Sequence, residues 1–293
     1  MKILITGGSG LLGGYLNLLL SKSNDILTIY NNNQGNCKDF NSAKVDITDY
    51  KNVEEIFSSF RPDVVVHTAA VSSPQKASDM PSKLVYRINV NAAKNLAELC
   101  ESYKAKLIYT STDLVYAGYR GSMLNEDAKL IPVSLYAETK LMGEQKISET
   151  FDNYLILRTA LLYGFGIGGS KNHFHDIYLK LKNGQQVKLF SDQFRTPLAL
   201  ADAARMIEQL CTPDIKKEII NFGGKERVSR FELGERLCEA AKFDKSLIEK
   251  ISMNDITDIP LVADVSMNTD KLQSFGIMAK SIDESLKEIL SIE

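Results

Sequence analysis

Short runs of β-branched and apolar residues alternate with longer amphipathic stretches over the first 160 residues. Runs such as Ile3-Leu4-Ile5 and Val64-Val65-Val66 are apolar at every position, which is typical of parallel strands buried on both faces. The alternation predicts an α/β fold, a doubly wound parallel sheet. The expected strands are at residues 2–6, 26–30, 44–46, 63–67, 106–111 and 154–158, with helices at 11–21, 51–60, 83–103 and 134–148.

After residue 160 the alternation becomes irregular, and glycines at 164, 166, 168 and 169 interrupt it. We therefore predict a dinucleotide-binding domain over residues 1–160 and a smaller C-terminal α+β substrate lobe over 161–293. Part of the C-terminal half can return to the first domain. The lobe would use a helix at 175–182, a strand at 218–222, a helix at 230–241 with Ser229 as its N-cap, and a last helix at 282–290. We expect a ligand in the cleft between the two parts.

The chain has 35 Lys and Arg against 37 Asp and Glu, a net charge of −2, and no basic cluster. Nucleic-acid binding is therefore not expected. The apolar stretch at residues 11–20 is too short and too interrupted to cross a membrane, and we predict a cytoplasmic protein. The four cysteines form no C-x-x-C motif and are interpreted as reduced packing residues, and three histidines make a metal site unexpected.

The segment from Thr6 to Gly13 has glycines at 7, 10 and 13, directly between the first predicted strand and the first predicted helix. Glycines at these positions permit a tight turn and bring the backbone close to a pyrophosphate, whose charge then meets the positive end of the helix. The strand, turn and helix occur in the order that this site requires. The segment therefore predicts dinucleotide binding.

The second predicted strand ends in Tyr30, Asn31, Asn32 and Asn33. A site for NAD usually has an acidic residue here for the ribose 2′-hydroxyl. The end of this strand has no carboxylate to repel a 2′-phosphate and no arginine to bind one, which favours NADPH and leaves NADH open. Asp46 and Ile47, after the third strand, are predicted to contact the adenine; the alternative is that Asp46 only caps the next helix.

Hydroxyl residues, among them Thr110 and Thr112, cluster at the end of the strand predicted at 106–111, and the next predicted helix carries Tyr136 and Lys140. Residues four apart on a helix share a face, so the last two can point at one ligand. Tyr178 and Lys182 have the same spacing but lie outside the dinucleotide half, and we interpret them as a surface pair.

Reduction of a carbonyl by hydride needs a proton donor, and a phenol with a pKa of about 10 is a poor one at neutral pH. An adjacent lysine ammonium favours the phenolate, so Lys140 is expected to lower the pKa of Tyr136. The Thr112 hydroxyl would polarise the same carbonyl. The pattern predicts Tyr136 as the acid, Lys140 as its tuning group and Thr112 as the orienting group.

The chain resembles the extended short-chain dehydrogenase/reductases and, within them, the dTDP-4-dehydrorhamnose reductase family. The resemblance implies a Rossmann fold and an NADPH-dependent reductase that delivers hydride to C4 of a nucleotide-linked 4-keto-6-deoxy sugar. It runs almost end to end and is carried by residues 6–13, 61–63, 67–70, 89–91, 111–116, 136–140, 157–159, 195–197, 221–224, 229–231 and 270–272.

The resemblance also implies roles for individual residues. Thr112, Tyr136 and Lys140 would be catalytic. The cofactor would contact Gly7, Ser9, Gly10, Leu11, Leu12, Asn31, Asn32, Asp46, Ile47, Thr68, Ala69, Ala70, Thr110, Tyr136 and Lys140. The nucleotide-diphosphate sugar would contact Asp113, Asn172, Arg195 and Arg230, although the two arginines have an alternative interpretation as solvated surface charges. Leu161 replaces a tryptophan that is common in the family, which leaves the identity of the substrate open.

Two alternatives share this fold. The chain is also similar to the regulatory beta subunit of methionine adenosyltransferase at residues 31–33 and 161–164, which implies tight NADP binding and a partner enzyme without sugar reduction. The second alternative is a nucleotide-sugar epimerase or dehydratase. Asp113-Leu114 lacks the Asp-Glu pair expected of a dehydratase, which counts against that chemistry. The expected partner is the nucleotide-diphosphate sugar, and a homodimer is allowed.

Overall fold

A computed structural model describes residues 1–212, 214–255 and 262–291. Its strands and helices alternate through the first 160 residues as predicted. The strands are β1 (Lys2–Thr6), β2 (Asp25–Tyr30), β3 (Ser42–Lys44), β4 (Val64–His67), β5 (Lys106–Thr110), β6 (Tyr154–Thr159), β7 (Leu162–Tyr163), β8 (Val187–Phe190), β9 (Phe194–Arg195), β10 (Leu198–Ala199), β11 (Glu218–Phe222), β12 (Val228–Ser229) and β13 (Ile248–Ile251). The helices are α1 (Leu11–Leu20), α2 (Tyr50–Phe60), α3 (Pro74–Ser78), α4 (Ser82–Tyr86), α5 (Ala92–Tyr103), α6 (Leu135–Thr150), α7 (His173–Lys182), α8 (Leu200–Leu210), α9 (Arg230–Ala241), α10 (Asp270–Ser274) and α11 (Ile282–Leu290).

The largest sheet is parallel and has seven strands in the order β11-β6-β5-β4-β1-β2-β3. The order reverses between β1 and β4, and ligands of open α/β sheets bind beyond the strand ends at such a point. β1 registers Ile3 with Val64 and Thr6 with His67. The carboxyl ends of the two strands are therefore level, and the loops that follow them face one another.

Strand β11 corrects the predicted organisation of the C-terminal half. The sequence analysis gave residues 218–222 to the smaller lobe, but β11 pairs in parallel with β6, from Glu218 opposite Leu155 to Phe222 opposite Thr159. Its residues Ile220 and Phe222 are fully buried. The chain crosses back because these apolar side chains complete the core of the large sheet.

Side chains that alternate along the strands bury both faces of the large sheet. Ile3 and Ile5 pack with α1 and α8 on one face, whereas Leu4 packs with α2, α5 and α6 on the other. This two-residue period is what a pleated strand imposes. Covering both faces explains why the strands are apolar at almost every position.

The smaller lobe has its own apolar core, formed by α7, β8, α9, β13 and α11. Ser229 caps α9 as predicted, because its hydroxyl accepts from the N–H of Glu232 while the Glu232 carboxylate accepts from the N–H of Ser229. Tyr178 belongs to this core and is only 6% exposed. The interpretation of Tyr178 and Lys182 as a surface pair is therefore wrong for the tyrosine, whose ring packs against Phe165 and Phe243.

The helix predicted at residues 83–103 is continuous but not uniform. A π-helical turn at Arg87–Asn91 separates α4 from α5. Asn89 in this turn is buried, and its side chain accepts from the N–H of Val71 and donates to the Thr139 hydroxyl. Asn89 in this turn thus connects the loop after β4 to α6. The loop and the helix both carry residues that line the cleft.

Candidate active site

A cleft of about 1190 Å³ lies beyond the carboxyl ends of the large sheet, between it and the smaller lobe. Residues from both parts line it. All the site residues expected from the sequence lie on its wall: Gly7, Ser9, Gly10, Leu11, Leu12, Asn31, Asn32, Asp46, Ile47, Thr68, Ala69, Ala70, Thr110, Thr112, Asp113, Tyr136, Lys140, Asn172, Arg195 and Arg230. Positions that are far apart in the sequence therefore share one cavity.

The glycine turn after β1 forms one end of the cleft. Gly7 has a φ of +70°, and a Cβ there would lie 2.7 Å from the backbone nitrogen of Ala69. A Cβ on Gly13 would lie 2.2 Å from the carbonyl oxygen of Gly7, so this glycine lets α1 pack against the turn. Gly10 is the N-cap of α1 and has no side chain that could cap the helix. The N–H groups of the first turn are therefore left for a ligand. The cradle fits the pyrophosphate of a dinucleotide.

The neighbouring part of the wall contains Asn31 and Asn32, both exposed at the end of β2. Asn33 uses its side-chain oxygen to accept from the N–H of Gly35. Asp46 accepts from the N–H and the hydroxyl of Thr48. The alternative that Asp46 caps the next helix is wrong, because Asp49 caps α2. No acidic residue lies at the end of β2.

Thr112, Tyr136 and Lys140 meet in the middle of the cleft. Ser134 caps α6 through the N–H of Ala137, which sets Tyr136 in the first turn and Lys140 one turn later. The Thr112 hydroxyl donates to Asp113 Oδ1 at 3.2 Å. The Thr112 hydroxyl also accepts from the N–H of Leu114 at 3.2 Å, which fixes its orientation. The predicted trio is thus held by a helix cap and a short turn.

The pKa values of the trio differ from the expectation. Withdrawal from water raises the pKa of Tyr136 to about 12, because it outweighs the lowering effect of the nearby Thr112 hydroxyl. Lys140 is 2% exposed, and burial lowers its pKa to about 7 despite the attraction of Glu144. The expectation that Lys140 lowers the pKa of Tyr136 is therefore wrong, since desolvation of the phenol is the largest effect on its pKa.

A buried ion pair that the sequence did not predict lies under this trio. Arg158 Nη2 lies 2.9 Å from Glu144 Oε2, and both side chains are 3% exposed. The Ser111 hydroxyl donates to the other carboxylate oxygen of Glu144. The pair joins β5, β6 and α6 directly behind Lys140. Its sequence signal was weak, because Glu144 is simply one turn beyond Lys140 on the helix.

Charged side chains also line the opposite side of the cleft, nearer the smaller lobe. Arg195 Nε lies 3.5 Å from Asp113 Oδ2, and both side chains are 7% exposed. Arg230 donates from Nε to the side chain of Gln193 at 3.1 Å. Burial and the nearby Arg195 lower the pKa of Arg230 to about 10. The alternative that these two arginines are solvated surface charges is wrong.

Burial raises the pKa of Asp113 although Arg195 opposes the shift. One carboxylate oxygen of Asp113 is buried without a hydrogen-bond partner among the described residues. The cluster therefore contains two cations and one anion, an excess of positive charge withdrawn from water. Such a cluster can bind a phosphate.

Asn172 lines the same region but has a structural task. Its side-chain oxygen accepts from the N–H of His175 and caps α7, while its amide donates to the carbonyl of Gly164. A direct contact of Asn172 with substrate stays a prediction. Among the described residues no cluster of His, Cys, Asp and Glu could hold a metal ion. None of the helices within the described ranges is long and apolar enough to cross a membrane.

The fold and the cleft define a dinucleotide-binding α/β protein of the short-chain dehydrogenase/reductase type. The chain belongs to the family described as the RmlD substrate binding domain, whose model matches residues 1–292.

The chain is 28% identical to a dTDP-4-dehydrorhamnose reductase of Aggregatibacter actinomycetemcomitans, with 98% of each chain covered. It is 26% identical to methionine adenosyltransferase 2 subunit beta of Rattus norvegicus, over 94% of this chain and 83% of that one. The solved structure of dTDP-4-dehydrorhamnose reductase from Bacillus anthracis str. Ames, in complex with NADP, superposes with a TM-score of 0.87. That structure is 25% identical and is matched over 99% of its length and 100% of this chain.

Proposed function

We propose that the protein is an NADPH-dependent reductase of a nucleotide-linked 4-keto-6-deoxy sugar, of the dTDP-4-dehydrorhamnose reductase kind. The observation that carries the proposal is one cleft with a glycine cradle, the trio Thr112, Tyr136 and Lys140, and a cationic cluster that is largely shielded from water. Relatives with this reductase name cover nearly the whole chain. The first two features suit a coenzyme and a carbonyl, and the third suits a diphosphate.

NADPH, when bound, supplies the hydride that reduces the carbonyl carbon. Tyr136 is protonated at neutral pH because its pKa lies at about 12. A phenol with this pKa is a weak acid, so transfer of its proton to the carbonyl oxygen depends on the negative charge that develops on that oxygen during hydride transfer. Thr112 donates a second hydrogen bond to that oxygen, and a protonated Lys140 balances the phenolate that Tyr136 becomes.

Gly7, Gly10 and the first turn of α1 would hold the pyrophosphate of the coenzyme. Its ribose and adenine would contact Asn31, Asn32, Asp46 and Ile47. The neutral asparagines neither repel a 2′-phosphate nor provide the carboxylate that NAD sites use. This composition supports NADPH as the coenzyme, with NADH as a weaker ligand.

Arg195 and Arg230 would bind the diphosphate of the substrate, and Asp113 would accept a hydrogen bond from a sugar hydroxyl. Both arginines are oriented before any ligand arrives, because backbone carbonyls of Phe194 and Val262 hold Arg195 and Gln193 holds Arg230. A diphosphate would neutralise their excess charge, so binding is expected to be stronger at low salt.

Turnover is the test of this proposal. Purified protein is mixed with NADPH and dTDP-4-dehydrorhamnose, and the loss of nicotinamide absorbance is followed with and without the sugar. Sugar-dependent oxidation with formation of the 4-hydroxy sugar supports the reductase. Tight NADPH binding without turnover on this sugar would contradict it.

The similarity to methionine adenosyltransferase 2 subunit beta favours a second candidate, an NADP-binding regulatory subunit. The two functions predict different results with the same preparation. A regulatory subunit would bind NADP and alter the activity of an added methionine adenosyltransferase, with no consumption of NADPH. The cytoplasmic location and the homodimer stay predictions of the sequence.

A further inference from the structure

The underside of Lys140 is covered by an aromatic ring that the reaction scheme above does not use. The Lys140 Nζ lies 4.0 Å from the centroid of the Tyr109 ring. Tyr109 is on β5 and is fully buried. A lysine ammonium over the face of a ring at this distance is a cation–π pair, which is stronger when water is excluded.

The position of this ring is fixed by the helix that carries Lys140. The Tyr109 hydroxyl donates to the backbone carbonyl of Lys140 at 3.4 Å. A Cβ on Gly143 would lie only 2.4 Å from the Tyr109 hydroxyl oxygen. Gly143 therefore leaves the space that the phenol fills, and the ring cannot move away from the lysine without disturbing α6.

The other groups around Lys140 give its ammonium little compensation. Glu144, one turn along α6, attracts Lys140 but is shared with Arg158 and Ser111. His67 on β4 is fully enclosed, and burial lowers its pKa to about 3, so it is neutral at physiological pH. Tyr136, on the first turn of α6, is neutral as well. The face of Tyr109 therefore adds negative potential at 4.0 Å from the ammonium.

We propose that Tyr109 is a positioning residue for Lys140, and that its ring face holds the ammonium at the reacting end of the cleft. The inference rests on the proposed role of Lys140, but the contact itself exists whether or not the sugar is the substrate. Phenolic ionisation would not disturb it, because burial keeps the pKa of Tyr109 well above its ordinary value. A leucine here would fill part of the space without offering any potential to the charge.

The experiment reads the pKa of Lys140 directly, by NMR of protein labelled with 13C and 15N in its lysine side chains. Lys140→Arg identifies the resonance. In Tyr109→Phe, which keeps the ring and loses the hydroxyl, we expect an unchanged pKa. In Tyr109→Leu we expect it to fall by about one unit, because the charged form loses its partner.

A second series of variants, with fluorinated phenylalanines, keeps the inference testable if Tyr109→Leu does not fold. Phenylalanine with increasing fluorine substitution is incorporated at position 109, which weakens the negative face of the ring at nearly constant shape. We expect the pKa of Lys140 to fall stepwise with each fluorine, and NADPH affinity at neutral pH to fall with it. A Lys140 pKa that is unchanged across the series, or that rises in Tyr109→Leu, would overturn the inference. The result is independent of turnover, so failure of the proposed reductase would be seen separately.

Discussion

The two ends of the cleft are built by different physical means. At the coenzyme end the surface is mostly backbone, and Gly7 and Gly13 are there because a Cβ would collide with main-chain atoms. At the substrate end the surface is made of side-chain charge, with Asp113, Arg195 and Arg230 withdrawn from water. The first end depends on close approach, and the second depends on unbalanced charge.

This difference determines how ligand binding at each end responds to substitutions, pH and salt. Steric fit has a sharp threshold, so one added methyl group can abolish binding at the coenzyme end. A charge cluster responds gradually, and its effect depends on pH and salt. The trio of Thr112, Tyr136 and Lys140 lies between the two ends. It depends both on tight packing and on the charge state of its side chains. The variants below test this contrast, beginning with the largest expected effect.

Gly13→Ala should break the coenzyme end. The new Cβ would be 2.2 Å from the Gly7 carbonyl oxygen, a backbone atom that cannot move without opening the turn. We expect NADPH affinity to fall by at least about 100-fold, measured by the fluorescence of bound NADPH.

Gly14→Ala is the matched control, because it adds the same atom to the next position of α1. Its Cβ would meet its nearest neighbour, the Cβ of Ile167, at 3.4 Å, an ordinary contact. We expect NADPH affinity within about twofold of the wild-type value and unchanged or slightly higher stability. Equal losses in the two variants would mean that steric fit at the turn is not the cause.

Lys140→Met should stabilise the fold in a pH-dependent manner. The folded protein holds Lys140 at a pKa of about 7, below the ordinary 10.5, so the buried ammonium costs stability fully below pH 7. Between the two pKa values the folded state binds fewer protons than the unfolded state, and wild-type stability rises with pH.

We therefore expect Lys140→Met to raise the free energy of unfolding by roughly 2–4 kcal/mol at about pH 6, and by much less at about pH 10. Urea unfolding at both pH values measures this. Lys94→Met is the control, since Lys94 is half exposed and pairs with Glu98 on the surface. A gain for Lys140→Met that does not change with pH would show that the ammonium is not the source of the cost.

Arg230→Met should weaken the substrate end without affecting the coenzyme end. Removing one of the two cations at this end of the cleft is expected to raise the KM for the nucleotide sugar by about 10- to 100-fold, with the Kd for NADPH unchanged. Arg227→Met is the matched control, because Arg227 is partly exposed and pairs with Asp264. If both variants changed KM equally, a specific diphosphate site at Arg230 would be ruled out.

Asn31→Asp should give the smallest of these effects. A carboxylate at the end of β2 would repel a 2′-phosphate and accept from a ribose 2′-hydroxyl. We expect the ratio of NADPH to NADH affinity to fall about 10-fold. Asn33→Asp should leave the ratio nearly unchanged, because the side chain at 33 already accepts from the N–H of Gly35. A larger change at 33 than at 31 would contradict the proposed ribose position.

The contrast also explains how much the sequence could predict. The glycine turn and the Tyr136–Lys140 pair were predictable because each occupies a few consecutive residues whose spacing already fixes the geometry. The position of Arg195 and Arg230 in the wall of the cleft was not, since their partners Gln193, Val262 and Asp113 come from separate segments.

Two other features were beyond local patterns for the same reason. Strand β11 has the composition of any buried strand, and only its pairing with β6 assigns it to the large sheet. The raised pKa of Tyr136 depends on how much water the folded chain excludes around the phenol, a quantity that no local motif encodes. Motifs of consecutive residues are thus predictable. Strand pairing and pKa shifts that depend on burial by distant segments are not.

The central claim is that Tyr136 donates the proton in an NADPH-dependent reduction at this cleft. Its most direct test compares wild-type protein with Tyr136→Phe in the oxidation of NADPH by dTDP-4-dehydrorhamnose, with the Kd for NADPH measured in parallel. We predict sugar-dependent turnover in the wild type and a loss of about 100- to 10,000-fold in the variant, at an unchanged Kd. Full turnover by Tyr136→Phe, or no turnover by a wild-type protein that binds NADPH tightly, would contradict the account.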